Sequence, residues 1–228
     1  MKHWSSPKVV IFFNEWNRLY GIIYGQEFNA QRQAEAKILC EAYDIHGKID
    51  FQELLFSIHT YFALLMKFIV AELVTGKETV FSSTYGSQFI YASRDKLKSL
   101  LNDIEEGGLF AQKGITNFLE GDFFRWYLYA LSPSLEEAIK EIARGLSEFE
   151  PATIIIDPSS AHDLLKRLYQ YLIPQQVRHR LGEYYTPDWL AELILNEVGY
   201  DGNTLKRIID PACGSGTFII FAIQRAKE

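Results

Sequence analysis

Arg207-Ile-Ile-Asp-Pro-Ala-Cys-Gly-Ser-Gly-Thr-Phe218 reads as a buried strand, a glycine turn and the opening of a helix. Ile208 and Ile209 are β-branched and apolar, as a strand covered on both faces requires. Asp210 and Pro211 end the strand. Gly214 and Gly216 let the backbone approach a ligand with no Cβ in the way. From Thr217 onward Phe218, Ile219, Phe221 and Ala222 follow a helical pattern. Such a turn aims free backbone N–H groups and a helix N-terminus at anionic or polar ligand groups. The physics alone describes a small-molecule cradle at the end of the first strand of an α/β sheet.

Working outward, the 228 residues allow one large or two modest domains, and 48% hydrophobic content is ample for a packed core. The formal net charge of −6 excludes a generally basic nucleic-acid binder, so any DNA contact comes from a local patch. Two cysteines, Cys40 and Cys213, lie in unlike contexts, which points to a reducing compartment rather than a disulfide framework. The N-terminus lacks the apolar core of a signal peptide. The apolar segment 51–74 is interrupted by Glu53, His59, Lys67 and Glu72, so its uncharged runs fall short of the roughly 20 residues that span a bilayer. The expectation is a cytoplasmic protein with no membrane partner.

Helices are predicted over 9–24, 29–43, 51–74, 94–103, 118–131, about 133–147, 163–172 and 188–198. The segment 51–74 is apolar nearly all the way round and should form the centre of the N-terminal core. Residues 78–92 read as a loop or short strand, and 153–156 as a short buried connector or strand. Gly107 and Gly108 should stop the helix from 94. Ser132 is placed as an N-cap, and Pro187 at the first helical position. A single parallel strand at 207–211 cannot satisfy its own backbone groups. It is therefore expected to stay irregular or to pair with another molecule, and the polypeptide reads as incomplete, a truncated gene product or a split subunit.

The string 210–218 resembles the cofactor-binding motif of amino-methylating DNA methyltransferases, above all the N6-adenine type. Upstream, Arg180-Leu-Gly-Glu-Tyr-Tyr-Thr-Pro187, followed by Ala191 and Ile194, is similar to a second motif of the same enzymes. Order and spacing match the subgroup in which this second motif comes first. The helical stretches 13–21, 54–67 and 163–172 look like the helical region that precedes the methylase domain in restriction–modification enzymes. The resemblance implies S-adenosylmethionine as cofactor. Asp210 would then accept from its ammonium group, with Pro211, Ala212, Cys213, Gly214, Ser215, Gly216 and Phe218 lining the turn. Tyr185, Thr186 and Pro187 would contact its methionine part. Cys213 stands where the family has a small residue and has no histidine near it in sequence, so a nucleophilic role is not expected.

Methyl transfer to adenine in this family also uses a polar–Pro–Pro–aromatic motif beside a flipped-out base. The seven prolines, at 7, 133, 151, 158, 174, 187 and 211, are never adjacent. No catalytic residue is therefore assigned, and the chain alone is expected to be inactive and to bind cofactor weakly. Lys166, Arg167, Arg178 and Arg180, with His179, form a basic cluster that would face DNA phosphates or be a solvated helix end. Residues 42–53 imitate a calcium loop, but Ala42 and His46 occupy ligand positions where oxygen is needed. The five histidines show no zinc spacing with the cysteines, and no metal site is assigned. His59 reads as a core residue.

The expected fold is mainly α: a helical N-terminal domain over 1–178, then the truncated start of a Rossmann-like S-adenosylmethionine-dependent α/β domain over 179–228. The expected function is the N-terminal part of an adenine-specific DNA methyltransferase of a restriction–modification system. DNA and a specificity or nuclease subunit or domain are its expected partners. Rival readings are a non-catalytic helical interaction module with a vestigial cofactor motif, or the same chemistry on cytosine N4, RNA or protein.

Overall fold

A 25-residue helix with apolar groups on most of its faces must be surrounded, and the other N-terminal helices are arranged round it. The computed structural model describes residues 6–25, 32–47, 49–75, 84–116, 123–148 and 164–227. It divides into two compact units, Met1–Ile156 and Asp157–Glu228.

The first unit holds α1 (Pro7–Tyr24), α2 (Gln33–Ala42), α3 (Phe51–Thr75), α4 (Ser87–Ile90), α5 (Arg94–Glu105), α6 (Gly108–Gln112), a 3-10 helix (Phe123–Tyr129) and α7 (Pro133–Ser147). Asp50 starts α3: its Oδ1 accepts from the N–H groups of Gln52 (2.9 Å) and Glu53 (3.1 Å). By length and composition α3 could cross a bilayer, but two-thirds of its most apolar window is buried in this unit. Its first half meets an aromatic cluster. Phe56 packs on Phe13 and Trp16 of α1, with ring centres 5.5 and 5.2 Å apart, and on Phe124 at 5.8 Å. Its second half meets the main core of Phe68, Phe89, Leu97, Leu101, Phe110, Tyr127, Ile139 and Ala143. Each such side chain contributes roughly 1.5–3 kcal/mol when buried.

Several polar groups on α3 are answered, although His59 Nδ1 is buried without a hydrogen-bond partner among the described residues. Thr60 Oγ1 accepts from Trp126 Nε1 at 2.9 Å. The Glu72 carboxylate accepts from the backbone N–H groups of Tyr85 and Gly86 and so holds the start of α4. Ser132 caps α7, its hydroxyl accepting from Leu135 N at 3.2 Å.

The second unit holds α8 (Leu164–Leu172), α9 (Gln175–Leu181), α10 (Asp188–Glu197) and α11 (Thr217–Lys227). Gly182 ends α9 in the left-handed conformation (φ 77°). Its N–H donates to His179 O, and Glu183 N–H reaches back to Arg178 O at 2.9 Å, the double bond of a Schellman turn. Helix α10 packs against α11.

Several sequence expectations change. The burial read for 207–211 is not found, Ile208 being half exposed and Ile209 87% exposed, while the segment is irregular, as expected of a strand without a partner. Strand backbone groups need a neighbouring strand, and the described residues supply none. Residues 84–91 form a turn and the short helix α4 rather than a strand. Gly108 opens α6 instead of only ending α5. Pro187 is the N-cap of α10, one position before the predicted one. Helix α9 had no sequence assignment. Helix α8, grouped by sequence with the N-terminal domain, lies in the second unit, where its Lys166 and Tyr169 bond to residues 183–188. The readings at 29–31, 78–83, 118–122 and 153–156 fall outside the described residues.

Candidate cofactor site

Two loops and two helix starts build the site. After α10 the chain turns at Tyr200–Asn203. Arg225, near the end of α11, donates from Nη1 to Tyr200 O at 2.8 Å. Gly202 lies so close to the same turn of α11 that an added Cβ would sit 2.4 Å from Arg225 O. The C-terminal ends of α10 and α11 are thus tied together, and each helix is entered by a loop, 183–187 before α10 and 210–216 before α11.

Asp210 enters the second loop. Its Oδ1 accepts from Ala212 N–H at 3.1 Å, while its Oδ2 is buried and has no hydrogen-bond partner among the described residues. A buried carboxylate oxygen without a donor is costly, so an incoming donor is the economical explanation. The loop then turns through Gly214 (φ 53°) and Gly216 (φ 83°), both left-handed, with Gly216 N–H bonded to Cys213 O at 2.7 Å. A Cβ on Gly216 would meet nothing within 4 Å, so open space faces the turn. Ser215 and Thr217 hydroxyls lie 3.4 Å apart, and Thr217 begins α11 with its free N–H groups. Pro211, Ala212 and Cys213 are exposed, and Phe218 is half buried. Among the described residues Cys213 Sγ contacts Gly214 O at 3.9 Å.

In the loop before α10, Tyr185 is half buried. Its ring lies 6.3 Å from that of Tyr169 and 5.9 Å from the Arg178 guanidinium. Thr186 O faces Lys166 Nζ at 3.4 Å, and the same ammonium lies 3.4 Å from Asp188 Oδ1. Tyr169 donates to Glu183 Oε1 at 3.1 Å. Tyr184 is exposed and stacks on His179 at 5.0 Å.

The four basic residues of the sequence cluster part company here. Arg167 and Arg180 are exposed. Lys166 is turned to Thr186 and Asp188, and Arg178 is buried with its Nε donating to Ile173 O at 3.0 Å. Sequence spacing put all four in one cluster; Lys166 on α8 is turned to Thr186 and Asp188, and Arg178 on α9, after the turn at Pro174, reaches back to Ile173 O. Tyr169 was missed because an aromatic residue on an amphipathic helix carries no signal of its own. Elsewhere, His59 is buried between Trp16, Tyr20 and Phe124, and burial pushes its imidazole down to about 3. Among the described residues, no three His, Cys, Asp or Glu side chains gather as a metal site.

Residues 160–228 match the family model described as N-6 DNA Methylase. The methylase subunit of the type I restriction enzyme MjaVII from Methanocaldococcus jannaschii is 26% identical over 157 residues, covering 69% of this chain and 23% of that protein. The MjaIX methylase subunit from the same organism is 36% identical over 69 residues, 29% of this chain and 12% of its own. The chain thus spans a quarter or less of the length of these relatives. No solved structure matches it.

Proposed function

We propose that this chain, whose C-terminal segment belongs to the N-6 DNA methylase family, supplies the first half of an S-adenosylmethionine pocket for methylation of adenine N6 in DNA. The observation that carries this reading is the buried, unpartnered Asp210 Oδ2 beside the left-handed glycine turn.

S-adenosylmethionine supplies, when bound, a sulfonium methyl group open to nucleophilic attack. Asp210 would hold its ammonium group, which would answer the buried carboxylate oxygen. Gly214 and Gly216 allow backbone N–H groups and the start of α11 to come close. Tyr185 and Thr186 close the opposite side, fixed through Tyr169 and Lys166. The sequence holds no polar–Pro–Pro–aromatic motif, so positioning of the adenine falls to another segment or polypeptide. In a restriction–modification assembly, the restriction-enzyme methylase subunits that this chain resembles point to DNA as substrate and a specificity subunit as partner.

The test is calorimetric titration of the 228-residue chain with S-adenosylmethionine. Saturable binding that Asp210→Asn abolishes, with the helical circular dichroism intact, is expected. A folded chain that takes up no cofactor sinks the reading.

A further inference from the structure

The loop before α10 sends two neighbouring tyrosines to different partners. Tyr185 lies half buried against Tyr169 and Arg178. Tyr184 stacks on His179 of α9, with ring centres 5.0 Å apart and planes 26° from parallel. His179 is held in turn by Gln175, one turn earlier on the helix, whose Nε2 lies 3.4 Å from the ring Nε2. The tyrosine nevertheless remains 73% exposed. One face of its ring is supported and the residue is otherwise in water, an unfavourable place for a large aromatic surface. The pair is not needed to finish α9, because the backbone bonds of Gly182 and Glu183 already close that end.

The surroundings narrow what covers the ring. The chain carries a net charge of −6, yet residues 164–182 hold Lys166, Arg167, Arg178 and Arg180 and not one Asp or Glu. Glu183, the first carboxylate after them, accepts from the Tyr169 hydroxyl at 3.1 Å. Arg180 follows His179 directly on α9 and is exposed. A supported ring in a locally cationic stretch of an acidic protein suits a planar group carried on an anionic polymer. A nucleobase is such a group: its phosphates meet the positive field while its face lies on the ring. An apolar protein partner would need a continuous apolar patch, whereas the exposed residues of α9, Gln175, Gln176, His179 and Arg180, are all polar. A paired base keeps its faces inside the duplex, so the base that fits is one outside the stack.

We infer that Tyr184, supported by His179, is a stacking platform for an unpaired DNA base. The inference rests on the DNA methylase reading of the chain.

The test is fluorescence anisotropy of the full 228-residue chain with two labelled single strands of equal length. One is natural DNA; the other is abasic, keeping sugars and phosphates but lacking the bases. Wild type should bind the natural strand about fivefold or more tightly, the scale of one stacked base. Tyr184→Leu keeps apolar bulk without a ring and should bring the two affinities together, whereas Tyr184→Trp should keep or raise the preference. His179→Ala removes the support beneath the ring and should reduce it. A wild-type chain that binds the two strands alike, or binds neither, overturns the inference. So does a preference that survives undiminished in Tyr184→Leu, which would put base recognition elsewhere. If Tyr184→Leu does not fold, the wild-type ratio and Tyr184→Trp still decide, a Trp variant without preference counting against the platform. Cofactor titration of the same chain tells the two readings apart. Uptake of S-adenosylmethionine without a base preference removes the platform alone, and failure of both removes the methylase reading with it.

Discussion

Lys67 Nζ lies 2.9 and 2.8 Å from the two carboxylate oxygens of Glu105, and the two side chains are 1% and 0% exposed. The Tyr127 hydroxyl donates to the same carboxylate. The pair joins α3 to α5 and the 3-10 helix inside the main core. Breaking one side leaves a buried charge without its partner. Lys67→Met alone should lose about 3–5 kcal/mol in urea unfolding, whereas Lys67→Met with Glu105→Leu should recover most of that. Equal losses in the single and double variants would show that the pair itself is not what Lys67 contributes.

His59 gives the first unit an acid sensitivity. Burial holds its folded-state value at about 3, below the ordinary 6.5. The unfolded chain therefore takes up a proton that the folded chain refuses. Its contribution is complete above about pH 6.5 and is lost as pH falls toward about 3, at up to about 1.4 kcal/mol per pH unit. Between about pH 7 and 5 the wild type should lose about 2 kcal/mol more than His59→Gln. Parallel pH profiles of unfolding for the two proteins would remove His59 from this role.

Much of the first unit was legible because its signals are local. The apolar run of α3, the Ser132 cap and the amphipathic 94–103 segment each announce a helix within a single window. Residues 207–211 stay irregular, as expected of a strand without a partner, and it was their burial that was misread, for a non-local reason. Ile208 and Ile209 carry the composition of a covered strand, but a strand exists only when another backbone accepts its bonds. The glycine turn was legible because Gly214 and Gly216 adopt left-handed angles that glycine alone enters freely. The course of Lys166 and Arg178 was not, since charge spacing shows neither which face of a helix meets the loop 183–188 nor which way a turn at Pro174 sends the helix that carries Arg178.

The basic cluster now divides into testable halves. Arg167 and Arg180 remain exposed and are the members for which a phosphate contact is proposed. Changing both to Glu should weaken duplex DNA binding and flatten the plot of log affinity against log salt by roughly 2, about one for each lost contact. Fluorescence anisotropy between about 50 and 200 mM salt, where such contacts weaken binding most visibly, reads this directly. An unchanged slope would return both residues to the status of a solvated helix end.

Gly202 tests whether the tie between α10 and α11 positions the site. Its φ is 83°, and a Cβ there would lie 2.4 Å from Arg225 O and 3.0 Å from the carbonyl carbon, backbone atoms held in a helix. Gly199 is the control: its φ of 67° is also left-handed, but a Cβ there meets nothing within 4 Å. Gly199→Ala should therefore cost only the left-handed penalty, about 1–2 kcal/mol. Gly202→Ala adds the collision with α11 and should cost at least about 2 kcal/mol more, because neither backbone can yield without parting the helices. Although Gly202 lies at the far end of the helices from the loops 183–187 and 210–216, its substitution should also weaken S-adenosylmethionine binding, by shifting the start of α11 against the start of α10. Thermal unfolding and calorimetry on the two variants separate the effects. If Gly202→Ala matches Gly199→Ala in both stability and affinity, the C-terminal tie does not set the geometry of the pocket.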